Sequence, residues 1–374
     1  MINLFKVFMS EEAVFKSSQV LRSGKLTQGP EVDAFEGELA THFDNSNIVT
    51  LNSCTSAIHL ALDLIKDEVG PCTVLTTPMT CAATNLPIIH NGLKIKWYDL
   101  ASQYSYLHPS CYDWLDIEKK FDSTTRVLIL VHWGGIATPH EKIVELKKRY
   151  ENKFGKTLYV IEDCAHAWGS MDNGRRVGSF GDFAAFSCQA IKTLTTGDGG
   201  VLITPNAFYR RARLKRWFGL DRDNKLDFRS CQDINLAGYK FHMNDVAASI
   251  GRANLPHVDR LVNLQRGNAN FYNAQLATKY NIKPADGLDP SYWLYTIKVS
   301  NRVKFTEYMT EHGIEVNPVH SRNDEYHIFK DYAAPLPNLD EIAPRMVCIP
   351  CGWWLTSQER DFIVEKINQY VDIY

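Results

Sequence analysis

Between Ile48 and Thr204, short aliphatic runs alternate with helix-like segments, and this alternation limits the possible folds more than any other feature of the chain. The runs are residues 48–51, 73–77, 94–98, 127–131, 158–161, 183–187 and 201–204. Between them, residues 57–65 place Ile58, Ala61, Leu62 and Ile65 on one helical face, and residues 139–150 set Ile143, Val144 and Leu146 against a charged face. Strands that are apolar on both faces and separated by helices predict an α/β fold with a mostly parallel central sheet, covered by helices on both faces. Ligands of such sheets bind just beyond the carboxyl ends of the strands.

After Gly238 the pattern changes. Residues 243–255 read as one helix and 258–280 as a second, longer one. Residues 294–299, 305–312 and 360–370 then read as strand, helix and helix of a smaller unit, with 300–302 and 333–337 as loops. A length of 374 residues suits two domains, and the expected boundary lies near Pro256: a large domain over 1–255 and a small C-terminal α/β domain over 256–374. Lys+Arg 41 against Asp+Glu 43 leaves no basic field for a nucleic-acid backbone. No basic stretch followed by a long apolar core opens the chain, and the run 127–131 is too short to cross a bilayer. With nine scattered cysteines, the expectation is a reduced, cytoplasmic protein with no membrane and no nucleic-acid partner.

Three segments carry chemistry. Asn52-Ser53-Cys54-Thr55-Ser56-Ala57 follows one strand and opens a helix, so its small hydroxyl residues serve either as a plain cap or as a phosphate cradle. Ile161-Glu162-Asp163-Cys164-Ala165-His166 puts two acids at the end of an apolar strand, which suits a cap, a salt bridge, or a carboxylate facing a cationic ring nitrogen or a metal. The third segment runs from Ser187 through Gln189 and Lys192 to Gly197-Asp198-Gly199-Gly200. Here a lysine stands among small and apolar neighbours; desolvation lowers the pKa of such an amine and leaves it neutral, as Schiff-base chemistry requires.

Taken in order, the Thr-Ser turn, the Ile-Glu-Asp-x-Ala-His strand end and the Ser-x-x-x-x-Lys-x-x-x-x-Gly-Asp-Gly-Gly block resemble the DegT/DnrJ/StrS-type sugar aminotransferases. The likeness continues in Thr27-Gln28-Gly29-Pro30, Pro78-Met79-Thr80 and Gly238-Tyr239-x-x-x-Met243-Asn244-Asp245, and covers nearly the whole chain. It implies the type I fold of pyridoxal-phosphate-dependent transferases, with the cofactor pyridoxal 5'-phosphate cycling through pyridoxamine 5'-phosphate. By resemblance, Lys192 carries the cofactor, Asp163 pairs with its ring nitrogen, and Thr55, Ser56 and Ser187 take its phosphate. His166 sits against the ring hydroxyl and Gln189 belongs to the same cofactor pocket. The segment holding Lys240 reaches the active site of a neighbouring subunit in a homodimer, where Lys240 could supply charge to the phosphate, and His320 and Thr80 border the substrate. The implied reaction moves an amino group from a donor such as L-glutamate to a keto-sugar, most naturally a nucleotide-linked one.

Two departures stand out. The family usually has an aromatic residue at the place of Cys81, so ring stacking is either lost here or comes from another side chain such as Trp168, His132 or Trp133. Lys240 and His242 replace an Asn and an Arg. Alternatives within the fold are a sugar dehydratase-like member and a catalytically silent regulatory one; the retained lysine favours transamination. No metal site is expected: His320 and His327 do not have zinc-like spacing. Cys348 and Cys351 read as buried structural thiols, and the basic run 210–216 as a solvated helix face.

Overall fold

A computed structural model describes residues 1–101, 111–224, 232–276 and 287–370. Its centre is a seven-stranded sheet built from β1 (Ile48–Leu51), β2 (Thr73–Thr76), β3 (Lys94–Trp97), β4 (Thr125–Val131), β5 (Tyr159–Asp163), β6 (Phe183–Ser187) and β7 (Gly200–Ile203). The strand order is β1-β7-β6-β5-β4-β2-β3. All neighbours pair in parallel except β7, which runs antiparallel to both β1 and β6. The two faces are covered by helices, so strands such as β1, β2, β6 and β7 are buried at every residue. This is why they read as unbroken apolar runs.

Helices start where short side chains can accept from free backbone N–H groups. Helix α1 (Glu11–Ser23) is capped by Ser10, and α2 (Pro30–Phe43) begins with a proline. Helix α3 (Cys54–Val69) is capped by the Ser53 hydroxyl and buries Ile58, Ala61, Leu62 and Ile65, the face expected from the sequence. Helix α4 (Ala82–His90) follows β2 and leads into β3.

Residues expected to form one helix over 243–255 form Asp245–Asn254, because Asn244 acts as the cap. The longer helix is Val258–Gln275, and residues 277–280 of that expectation lie outside the described residues. A two-stranded antiparallel sheet pairs Tyr295–Lys298 with Met346–Ile349, flanked by helices Arg302–Glu311 and Ser357–Gln369. The segment 300–302 is a loop only up to Asn301, whose side chain caps the helix starting at Arg302. Tyr272, Tyr295, Ile297, Phe305, Met309, Ile363 and Ile367 share a second apolar core, apart from the one around the central sheet.

Candidate active site

Because six of the seven strands point the same way, their carboxyl ends form one edge, and the chemistry-bearing segments gather there. Ser53, Cys54 and Thr55 follow β1, Thr80 follows β2, Asp163 ends β5, Ser187 ends β6 and Gln189, Ile191 and Lys192 follow it; all line one cavity of about 490 Å³. Gly200, where β7 starts, lies against the start of α3, and a Cβ there would run into the Ser53 carbonyl and the Cys54 amide. That close approach is what lets the α3 N-terminus sit beside the lysine loop.

Lys192 stands in a loop held by its own backbone: its N–H donates to Gln189 O at 2.9 Å, and Thr196 N–H donates to Cys188 O at 2.9 Å. Burial drives its amine down to about 7, against the pull of the Asp163 carboxylate. Protein atoms crowd the ammonium end even though the side chain as a whole is only half-buried. Its Nζ sits 3.4 Å from the centroid of the Trp293 ring. Asp163 is buried, and burial pushes its carboxyl up despite hydrogen bonds from Thr84 Oγ1 (2.6 Å) and Ala165 N–H (3.0 Å). The two groups are thus driven toward their neutral forms by the same lack of water.

His166 is also buried and held neutral, its pKa forced well down by burial and by Lys192. Its Nδ1 accepts from Gly134 N–H at 3.3 Å, which places the ring proton on Nε2. His320 faces His166 in a near-parallel stack with centroids 5.5 Å apart, and burial lowers its pKa to about 3. Its buried Nε2 has no hydrogen-bond partner among the described residues. Gln189 and Thr80 line the cavity as well. The Gln189 Oε1 accepts from Ile191 N–H, and the Thr80 hydroxyl is hydrogen-bonded to Thr84.

Two of the expected residues do not line the cavity of this chain. Ser56 does not line the cavity: its hydroxyl donates to Asn52 Oδ1 at 2.7 Å and its N–H to Ser53 Oγ, so both donors are used inside the turn. Lys240 is exposed, bridged through its backbone to Trp217, outside the cavity of its own chain.

None of the three proposed stacking rings lines the cavity. Trp168 packs on Phe43 and Phe186 and donates to Ser187 O, behind the strand. His132 is paired with Glu162, and the Trp133 indole donates to Thr296. The aromatic surface comes instead from His166, His320, Trp293 and Phe5, the last stacked on Trp293 at 5.1 Å. Trp293 and Phe5 gave no local signal, since each reaches the cavity from a distant part of the chain.

Glu162, the second acid, points away from the cavity. Its carboxylate accepts from the N–H groups of Gly178, Phe180 and Gly181 and from His132 Nε2 at 3.0 Å. Burial alone would raise it, but those bonds and the His132 interaction hold it below its ordinary value. Ligand atoms of His132, Glu162 and Cys164 lie within 4.8 Å of one another, yet His132 Nδ1 already accepts from Thr138 N–H. His132 and Glu162 are bonded to each other, and Cys164 Sγ donates to Glu162 O at 3.7 Å. The basic residues of 206–216 are tied to acids: Arg211 to Asp67 and Glu68, Lys215 to Asp63, Arg216 to Glu36. Cys348 and Cys351 are buried free thiols. Among the described residues, no helix is long and apolar enough to cross a membrane.

This sheet, with a half-buried lysine after its sixth strand and a buried acid ending its fifth, is the type I fold of pyridoxal-phosphate-dependent transferases. Residues 8–368 match the DegT/DnrJ/EryC1/StrS aminotransferase family, and the chain belongs to that family as a pyridoxal-phosphate-dependent sugar aminotransferase. It is similar to the solved sugar aminotransferase CalS13 from Micromonospora echinospora, with 36% identity, a TM-score of 0.93, and coverage of 99% of this chain and 100% of that one. AtS13 from Actinomadura melliaura is 38% identical with a TM-score of 0.94, covering 99% of each chain. GDP-perosamine synthase of Escherichia coli O157:H7 is 27% identical, over 92% of this chain and 91% of the relative.

Proposed function

We propose that this protein aminates a keto-sugar carried on a nucleotide, with an amino acid such as L-glutamate as donor and pyridoxal 5'-phosphate as cofactor, which takes the pyridoxamine form between the two halves. One observation carries the reading: the Lys192 amine, driven toward neutrality, and the Asp163 carboxylate open into the same cavity. Relatives named for GDP-perosamine, a UDP-linked altrosamine and a dTDP-linked dehydro-sugar support the nucleotide-linked substrate.

The residues present fit the cofactor. Lys192 would hold it through its amine, and Asp163 would face its ring nitrogen. First-turn N–H groups of a helix have no intrahelical partner, so Cys54 and Thr55 at the α3 start, with the Thr55 and Ser187 hydroxyls, suit a phosphate. Ser56 keeps the turn in shape. His166 would present Nε2–H to the ring hydroxyl, beside Gln189. When bound, the cofactor supplies an electron sink for the bond being broken at the substrate carbon. Asp163 sustains that sink by keeping a proton on the ring nitrogen. Lys192 Nζ, once free, would carry the proton between the substrate Cα and C4′ of the cofactor, in one direction with the donor and in the other with the keto-sugar, which its lowered pKa permits near neutral pH. His320 Nε2, without a hydrogen-bond partner among the described residues, and Thr80 are placed to meet the sugar.

We read 1–255 as the cofactor-binding domain and 256–374 as the small domain, and the working unit as a cytoplasmic homodimer in which Lys240 serves the neighbouring cavity. Exposed Phe15 and Leu21 on α1 support such an interface. To test the reaction, Lys192→Ala and wild-type protein are loaded with cofactor, treated with glutamate, then offered keto-sugar nucleotides. Wild type should lose its visible absorption band with glutamate and yield an amino-sugar, while Lys192→Ala should show neither the band nor turnover. A variant retaining both would overturn the assignment; loss of a hydroxyl instead of gain of an amine would point to dehydration.

A further inference from the structure

Asp163 is joined to the C-terminal third of the chain by a buried polar chain that no local motif announces. The Thr84 hydroxyl donates to Asp163 Oδ2 at 2.6 Å, so its single proton is committed there. The Thr80 hydroxyl, 2.9 Å from Thr84 Oγ1, must therefore donate to Thr84. Thr80 O in turn accepts from Asn323 Nδ2 at 2.8 Å, and Asn323 N–H donates to Pro78 O at 2.8 Å. Asn85 closes the network, donating to Asn323 Oδ1 at 2.8 Å and Thr77 O at 3.0 Å while accepting from Thr76 Oγ1 at 3.0 Å. Thr76, Thr80, Thr84, Asn85 and Asn323 are all at most 1% exposed. Beside Asn323, Arg322 is clamped to Asp324 at 2.6 Å and Asp340 at 2.5 Å, which fixes the loop that carries the asparagine.

We infer that Thr84 and Asn323 are positioning residues for Asp163: Thr84 orients and stabilises the carboxylate that faces the ring nitrogen, and Asn323 sets the Pro78–Thr80 turn that aims Thr84. This rests on the proposed role of Asp163 toward the cofactor. The energetics support it, because a buried carboxylate persists as an anion only where donors favour the charged form. Asp163 receives two such bonds, from Thr84 to one oxygen and from Ala165 N–H to the other. Hydrogen bonds to charged groups are the stronger kind, so losing one is felt at the ring.

The test uses holoenzyme loaded with cofactor labelled with nitrogen-15 in the ring, read by NMR, together with the rate of cofactor loss into buffer. Thr84→Val should move the ring-nitrogen signal toward the deprotonated position and speed cofactor loss about tenfold, while Thr84→Ser should keep both near wild type. Asn323→Ala should shift the signal less, and should shift it no further in a Thr84→Val background, although its cost to thermal stability still adds. A folded, loaded Thr84→Val with wild-type signal and release rate overturns the inference, as does an Asn323→Ala shift equal in both backgrounds. Should Thr84→Val not fold, Thr84→Ala takes the same readings. Asp163→Asn separates the two claims: an unmoved signal there removes the Asp163 role itself, whereas a moved one beside an unmoved Thr84→Val removes only the positioning role.

Discussion

At the scale of single residues, Lys192 gives the most direct handle, because its amine pays a folding penalty that depends on pH. Its folded pKa, about 7, lies below the ordinary lysine value near 10.4. The folded protein therefore binds fewer protons than the unfolded chain between those values, and its stability rises with pH across that window. Cofactor-free Lys192→Met lacks the penalty. It should melt about 2 °C or more above wild type at pH 7, with the gap closing as pH approaches 10; calorimetry in that range decides it. A constant gap would mean that the amine is not desolvated. Lys192 and Asp163 were legible in the sequence because a lone lysine after a strand and an acid ending another are chemical outliers among apolar neighbours. Thr84, Asn323, Trp293 and Phe5 were not, since each is an ordinary residue where it stands and meets the site only through packing across the chain.

At the scale of elements, the cradle proposed for the cofactor phosphate depends on how closely β7 approaches α3. Gly200 carries no side chain, and one added methyl would meet the Ser53 carbonyl and the Cys54 amide, backbone atoms that cannot swing aside. Gly200→Ala should therefore destabilise the protein by about 1–3 kcal/mol and weaken cofactor binding more than proportionately, since the first turn of α3 is what moves. Urea melts with and without pyridoxal phosphate would show it as a smaller stabilisation by cofactor than in wild type. Unchanged linkage would place the phosphate elsewhere. The seven strands of the central sheet and the helices named from the sequence were readable to within a few residues, and the errors have physical causes. The run 158–161 extends as β5 through Glu162 and Asp163, because the N–H groups that satisfy Glu162 arrive from residues 178–181. No periodicity reports such partners. Likewise α3 begins before its apolar stripe, where Ser53 caps it.

At the scale of the whole molecule, an exposed lysine outside its own cavity can serve an active site only if a second chain brings it there. Lys240 is such a residue, and the dimer proposed for it is symmetric, so each site would combine Lys192 of one chain with Lys240 of the other. Mixing inactive Lys192→Ala with impaired Lys240→Ala subunits tests this without a structure of the assembly. After unfolding and joint refolding at equal amounts, half the dimers are hybrids. In each hybrid one site carries both lesions and the other carries neither, so about a quarter of all sites should regain wild-type turnover. If Lys240 instead serves its own chain, no site in the mixture is intact and turnover stays at the average of the two parents. If Lys240→Ala alone turns over like wild type, the lysine has no part in either site. Sedimentation of the mixture at the assay concentration fixes the fraction of dimers, which makes the expected recovery a number rather than a direction.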